Sequence, residues 1–255
     1  MSETLLQKHW YDGWFYALFI DSDLSPIRER MHPLIEDDHR IIDIGCGTGG
    51  FALKLAQRSR EVVGIDISKK QILQARRRLK KSGLTNVRFE HQDATRVTGI
   101  AGAPFDYALM TFIIHEIDQE KRLLLLKQAA TLAKKIIILD YHVPLASNFW
   151  GMAIRLIEYF TSREHYSNFL DFRARGGLIP LADEAGLVLQ KQRINRDTTV
   201  TNGVHAALGK ILVLKEHSGS VLQMVGVFFG QGGIKDSGDL TGGKGQGRVA
   251  GKPGD

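Results

Sequence analysis

The segment Asp43-Ile44-Gly45-Cys46-Gly47-Thr48-Gly49-Gly50 constrains this chain most, because it stands between a short apolar run at 40–44 and a helical pattern at 51–57. Glycines there permit a tight turn and let a ligand lie directly against backbone, with the first N–H groups of the helix facing it. A second β-branched run follows at 61–65, which completes a β-α-β unit. The pattern repeats with a helix at 69–81, strands at 87–90 and 105–110, a helix at 119–133 and a strand at 136–139. Such alternation predicts a doubly wound α/β fold, with a mostly parallel sheet, helices on both faces, and ligands bound beyond the C-terminal ends of the strands.

Flanking segments add to this frame. Residues 4–20 and 24–35 read as helices within an N-terminal helical segment, 1–38, the second helix with Ser25 as N-cap and Pro26 at its first position. After Asp140 the alternation stops, and a helical insertion at 141–180 carries an aromatic-rich helix at 148–160 and a polar one at 164–175, placed to roof a pocket. A short helix at 180–185 and strands at 187–194 and 206–214 follow. The two strands are close enough in sequence to require antiparallel pairing. From residue 217 the composition shifts: 12 of the 27 glycines fall in the last 39 residues. The expectation is one domain over 1–216 and a disordered tail over 217–255. Neither glycine group of the tail, at 230–233 or 242–247, follows a strand and opens a helix, so neither is read as a phosphate loop.

A formal charge of +6 favours anions without choosing among nucleic acid, membrane and acidic small molecules. Much of the excess lies at 68–81, where seven Lys and Arg surround Ile72, Ala75 and Leu79, the pattern of a solvated helix face. Cys46 is the only cysteine, which excludes an internal disulfide and a Cys-based zinc site and fits a reducing, cytoplasmic compartment. No metal is expected. Residues 1–8 lack the features of a secretion signal, and the apolar windows at 14–20 and 149–160 fall short of the about 20 residues that span a bilayer.

Three acids select the ligand. Asp66 ends the second strand, where a carboxylate accepts both ribose hydroxyls of an adenosine while Ile67 packs on the base; this fits NAD equally well. Asp93 and Ala94, after the third strand, can accept from an adenine amino group and donate to a ring nitrogen. Asp43 would repel a pyrophosphate but suits a ligand bearing an ammonium and a sulfonium, which favours S-adenosylmethionine. Each acid also has a purely structural reading: Asp43 capping the turn, Asp66 capping the next helix, Asp93 serving its loop. Their joint occurrence at one sheet edge is what argues for a site.

On these residues the chain resembles the class I S-adenosylmethionine-dependent methyltransferases over roughly 11–215. Asp43, Gly45, Cys46, Gly47 and Gly49 look like their first motif, Asp66 and Ile67 like their second, and Gln92, Asp93 and Ala94 like their adenine-contacting loop. The resemblance implies a Rossmann-like, seven-stranded, mostly parallel sheet with an antiparallel last strand, and S-adenosylhomocysteine as product. Residues 105–110 look like the fourth strand, and Thr111 to Glu116 like the segment below the methionine moiety, which commonly carries a histidine in small-molecule members. A looser similarity to quinone-ring C-methyltransferases places Tyr16 near the cofactor.

Methyl transfer is a displacement at a sulfonium carbon, so the enzyme chiefly aligns nucleophile and methyl and needs a base only for a protonated nucleophile. His115 is the best base candidate, with Glu116 to orient it; packing under the cofactor is the competing reading. His142 and Tyr141 rank lower, and His165 and Tyr166 could line the substrate side. The expected acceptor is a small or lipid-like molecule beneath an apolar lid of Phe149, Trp150, Met152, Ile154, Leu156, Ile157, Tyr159 and Phe160, with peripheral membrane contact through Arg155 and Arg163 ranked second. Nucleic acid is disfavoured: 110–114 lacks the Asn/Asp-Pro-Pro of amino-methylating enzymes, and the sole cysteine lies in the turn. A macromolecular acceptor and a non-catalytic cofactor-binding module remain as alternatives, and the sequence leaves oligomeric state open.

Overall fold

The computed structural model describes residues 28, 31–96, 100, 102–196, 210–215 and 225–230. The expected helix at 4–20, with Tyr16, lies outside them. Of the helix expected at 24–35, Arg28 is helical, but the segment ends in a 3-10 turn, His32–Leu34. Pro33 explains the difference, since it lacks the N–H an α-helix interior needs.

Eight strands form one sheet: β1 (Arg40–Ile44), β2 (Glu61–Asp66), β3 (Val87–His91), β4 (Phe105–Thr111), β5 (Ala133–Asp140), β6 (Val188–Arg196), β7 (Lys210–Lys215) and β8 (Val225–Gly230). Their order is β3-β2-β1-β4-β5-β7-β6-β8, with the first five parallel and β7 antiparallel to both β5 and β6. The fold is thus the α/β Rossmann-like one, with two corrections. The sheet has eight strands rather than seven, because the apolar run inside the glycine-rich tail pairs with β6 and β7 as β8. The antiparallel strand is therefore β7, not the last.

Helices α1 (Gly50–Leu55), α2 (Lys69–Ser82), α3 (Gln119–Leu132), α4 (Phe149–Tyr159), α5 (Arg163–Ala174) and α6 (Leu178–Glu184) cover the sheet. Alternation along the central strands sorts the two faces, as a period of two dictates. Ile41, Val62, Tyr107, Leu109, Ile137 and Leu139 meet Ala52, Leu55, Ile72 and Ala75 of α1 and α2, and Ile154 and Phe169 above. Ile42, Ile44, Val63, Ile65, Ala108, Met110, Ile136 and Ile138 meet Leu125, Leu126 and Ala129 of α3 and Leu181 of α6.

Side-chain caps fix where most helices start. Ser68, Asp118, Asn148 and Ser162 each accept the N–H three residues on, which satisfies one of the orphan donors of α2, α3, α4 and α5. The basic face of α2 is not wholly solvated: Arg76 donates through Nε and a terminal nitrogen to the Phe89 carbonyl, at 3.0 and 2.7 Å, and Arg78 to the Thr48 hydroxyl. These two arginines tie α2 to β3 and to the glycine turn. Among the described residues no helix is long and apolar enough to cross a membrane.

Candidate functional site

The glycine turn leaves β1 and enters α1 at the C-terminal edge of the sheet. The Gly45 and Cys46 N–H groups donate to the Ile65 carbonyl at 2.8 and 3.0 Å, which holds the turn against β2. Gly47 and Gly49 both have positive φ, +55° and +77°, yet they serve different ends. A Cβ on Gly49 would stand 2.5 Å from Phe89 Cζ, so this glycine lets the turn pack on β3. A Cβ on Gly47 would meet no atom of the described residues within 4 Å, so among them this glycine lines open space. Next to that space the Asp66 carboxylate accepts the Gly47 N–H at 2.9 Å and the Ser68 N–H at 2.8 Å, which fixes its orientation at the edge of the cradle. Ile67 is 47% exposed beside it, an apolar surface fit for a flat base. An open cradle, a fixed carboxylate and an exposed aliphatic side chain together fit the adenosyl part of S-adenosylmethionine.

The other expected cofactor residues are placed differently from one another. Asp43 is 1% exposed within β1, so its charge acts from below the turn rather than as an open contact. Burial, with the Asp43 and Asp66 charges, pushes the Cys46 thiol well up, which keeps it protonated and unreactive. The Gln92 N–H donates to the Asp66 carbonyl at 3.1 Å, which joins the third-strand loop to the second motif. Asp93 closes its own loop by accepting from the Thr95 N–H and hydroxyl at 2.9 and 2.7 Å, and it pairs with Arg96. Its loop role is therefore real, and Ala94 follows it half-buried. Thr111 is buried at the end of β4. Phe112 then turns back with φ +55°, a strained value for an aromatic, and Ile113 reaches to within contact of Gly45.

That reversal delivers His115, in the 3-10 turn Ile114–Glu116, into a buried polar cluster. His115 Nδ1 lies 2.6 Å from Asp140 Oδ1. Asp140 is itself fixed by the backbone N–H groups of Ile114, His115 and Tyr141 at 2.9, 3.3 and 2.7 Å. Beyond the ring, His115 Nε2 is 3.8 Å from Glu158 Oε1, Tyr141 donates its hydroxyl to the same oxygen at 2.6 Å, and His165 Nε2 bonds the other oxygen. His115, Asp140, Glu158 and His165 are each less than 5% exposed. Burial disfavours the charged imidazole, but Asp140 and Glu158 outweigh it and push His115 up to about 9. Despite its burial, Glu158 is held below the usual carboxylate range by His165 and His115.

Two expectations change as a result. Asp140, not Glu116, orients His115; the Glu116 carbonyl accepts from Asn168, and loss of water pushes its carboxyl up to about 8. Both ring nitrogens of His115 face carboxylates, which favours the protonated ring over a resting general base. His142 is half-buried in the loop after β5.

Sequence reasoning passed over Asp140, Glu158 and Arg122. Asp140 carried the same signal as Asp66, an acid ending a parallel strand. Glu158 was the only acid in an apolar helix. Arg122 is fully buried and donates to the Ile114 carbonyl at 3.0 Å and to Asp171 at 2.8 Å, so α3 holds both the 3-10 turn and α5. Nor is α4 buried all round: Ile154 and Glu158 face inward, while Phe149, Met152, Leu156, Tyr159 and Phe160 present an apolar stripe outward.

A family model described as a methyltransferase domain matches residues 41–135. A putative ribosomal RNA large subunit methyltransferase from Methanocaldococcus jannaschii is 33% identical over 95 residues, 35% of this chain and 24% of that protein. The chain thus spans about a quarter of that relative's length. Among solved structures, an S-adenosylmethionine-dependent methyltransferase from Methanosarcina mazei superposes with a TM-score of 0.54 at 19% identity, over 73% of this chain and 96% of that one. Magnesium protoporphyrin IX methyltransferase from Synechocystis, with bound S-adenosylhomocysteine, gives 0.51 at 16% identity, over 77% and 83%. Glycine turn, acidic strand ends, strand order and family match converge: residues 41–135 form a class I S-adenosylmethionine-dependent methyltransferase domain.

Proposed function

We propose that the chain transfers the methyl group of S-adenosylmethionine to a small, apolar or lipid-like acceptor held beneath α4 and α5. The observation that carries the acceptor class is α4 itself. Its inner side closes over the His115 cluster, and its outer side exposes Phe149 and Phe160 at 67% and 73%. An outward apolar stripe of this kind suits an acceptor that arrives from an apolar phase, and peripheral contact of a cytoplasmic protein with a membrane surface follows from the same stripe.

Gly45, Gly47, Asp66, Ile67, Gln92, Asp93, Ala94 and Thr111 would hold the cofactor, with Asp43 beneath them and Gly49 packing the turn on β3; Tyr16 remains an expectation from sequence. When bound, the cofactor supplies a methyl carbon activated by its sulfonium. The chain's own part is positional. Asp66 fixes the turn through the Gly47 N–H, Ile113 packs the segment after β4 against Gly45, and Asp140 holds the His115 ring at the same sheet edge. α4 and α5 keep water from that edge.

The test is transfer of labelled methyl from S-adenosylmethionine into cell extract, followed by separation into lipid, small-molecule, protein and nucleic-acid fractions. Label in the lipid or small-molecule fraction is expected. Label confined to RNA or protein would replace this reading with a macromolecular acceptor, and tight cofactor binding without transfer would favour a non-catalytic module.

A further inference from the structure

His115, Glu158 and His165 come from three different elements, the 3-10 turn after β4, the last turn of α4 and the first turn of α5. One ligand atom from each, all three residues buried, lies within 4.8 Å of the other two. We propose that they form the three-ligand site of a divalent transition-metal ion of the zinc type, bound through the Nε2 atoms of His115 and His165 and the Glu158 carboxylate.

The donor set suits such an ion. Zinc takes imidazole nitrogen and carboxylate oxygen at about 2.0–2.2 Å, and two histidines with one glutamate leave one position of a tetrahedron open. Bonds of that length set ligand atoms about 3.4 Å apart and the two imidazole centres about 5.2 Å apart. The observed values are 3.8 Å between His115 Nε2 and Glu158 Oε1, and 5.6 Å between the ring centres, with the planes at 89°. The direct bond between His165 Nε2 and Glu158 Oε2 is the exception, and an ion enters only as that bond opens.

What surrounds the three donors is an independent observation. A metal-binding histidine almost always gives its other ring N–H to a carboxylate or carbonyl, which fixes the tautomer and aims the ring. Asp140 does this for His115 at 2.6 Å, and three backbone N–H groups immobilise Asp140 in turn. Tyr141 holds the Glu158 oxygen at 2.6 Å, and the Ser162 cap on the His165 N–H at 3.1 Å sets the start of α5. The His115 ring and the Glu158 carboxylate are thus each oriented by a partner outside the triad, and the cap fixes the backbone that carries His165. A cation there takes the place of imidazole protons, which leave on binding. It would also clamp α4 and α5 to the β4–β5 edge, whatever acceptor the protein uses.

The experiment uses the full chain, freed of metal with a chelator and titrated with Co(II) and then Zn(II). One Co(II) per chain is expected, with the visible absorption of a low-coordinate nitrogen/oxygen site and displacement by Zn(II). His165→Ala and Glu158→Ala are expected to lose the band. Tyr141→Phe removes only a hydroxyl behind a ligand and is expected to weaken Co(II) binding about tenfold while circular dichroism stays unchanged. If His165→Ala does not fold, Tyr141→Phe carries the comparison alone. A folded wild-type chain that takes up neither ion, an unchanged band in folded His165→Ala, or unchanged affinity in Tyr141→Phe would overturn the site and leave a network of hydrogen-bonded ion pairs.

Discussion

Replacing Gly47 by alanine separates what the ligand asks of the turn from what the fold asks. The residue sits at φ +55°, where an alanine costs about 1–2 kcal/mol relative to its preferred backbone. No atom of the described residues lies within 4 Å of the added methyl, so they add no packing penalty to that strain. In a chain of this size the melting temperature should fall by about 2–8 °C, at roughly 2–4 °C per kcal/mol. The methyl would stand in the space assigned to the adenosyl group, and losing about 1.4–2.8 kcal/mol of contact weakens binding about 10–100-fold. Gly49→Ala is the matched control. Its methyl collides with Phe89 Cζ at 2.5 Å and approaches Ala75 Cβ at 2.9 Å, so overpacking of about 1–3 kcal/mol adds to the same strain and the loss is mainly of stability. Calorimetric titration with S-adenosylhomocysteine, beside thermal melts of both variants, reads the two effects separately. A folded Gly47→Ala protein that binds as tightly as wild type would refute the cradle.

Three further outcomes follow from the buried network and the lid. Asp140→Ala strands His115 and three backbone N–H groups, so urea unfolding should show a loss of about 3–5 kcal/mol; an unchanged midpoint would show that the network contributes nothing to stability. Arg122→Met keeps the aliphatic stem but leaves the buried Ile114 carbonyl without its donor, and a cost of about 2–4 kcal/mol is expected in the same assay. Serine at Met152, Leu156 and Phe160 together should change stability by only about 0.5 kcal/mol per site, because all three are exposed, yet should raise KM for a lipid-dispersed acceptor. Equal KM would remove the outer face of α4 from acceptor binding.

The sheet was legible because it is local. β1, β2 and β5 are short apolar runs closed by glycine or an acid, and α2 to α5 open on capping residues, so β1 to β5 and α2 to α5 emerge within a few residues of their observed ends. The tail was misread where composition hid a strand: the glycines around Val225–Gly230 signal disorder, while the pairing that makes it β8 is with distant β6 and β7. Site residues divide the same way. Gly47, Asp66 and Ile67 stand at the ends of the neighbouring strands of one β-α-β unit and could be read directly, whereas the partners of His115 are 25 to 50 residues away, at Asp140, Glu158 and His165. Glu116 was chosen as the orienting acid because it is adjacent, and adjacency in sequence does not bring side chains together in a 3-10 turn. Sequence places Tyr141 at the ligand edge and His165 on the substrate side, but their convergence on Glu158 depends on the fold.

The central claim is that the space beside Gly47, between Asp66 and Ile67, holds the adenosyl group. A crystal structure of the full chain soaked with S-adenosylhomocysteine tests it directly. The account predicts both ribose hydroxyls on the Asp66 carboxylate and the adenine ring against Ile67. Ribose bound away from Asp66, or a ligand seated elsewhere on the sheet edge, would contradict it.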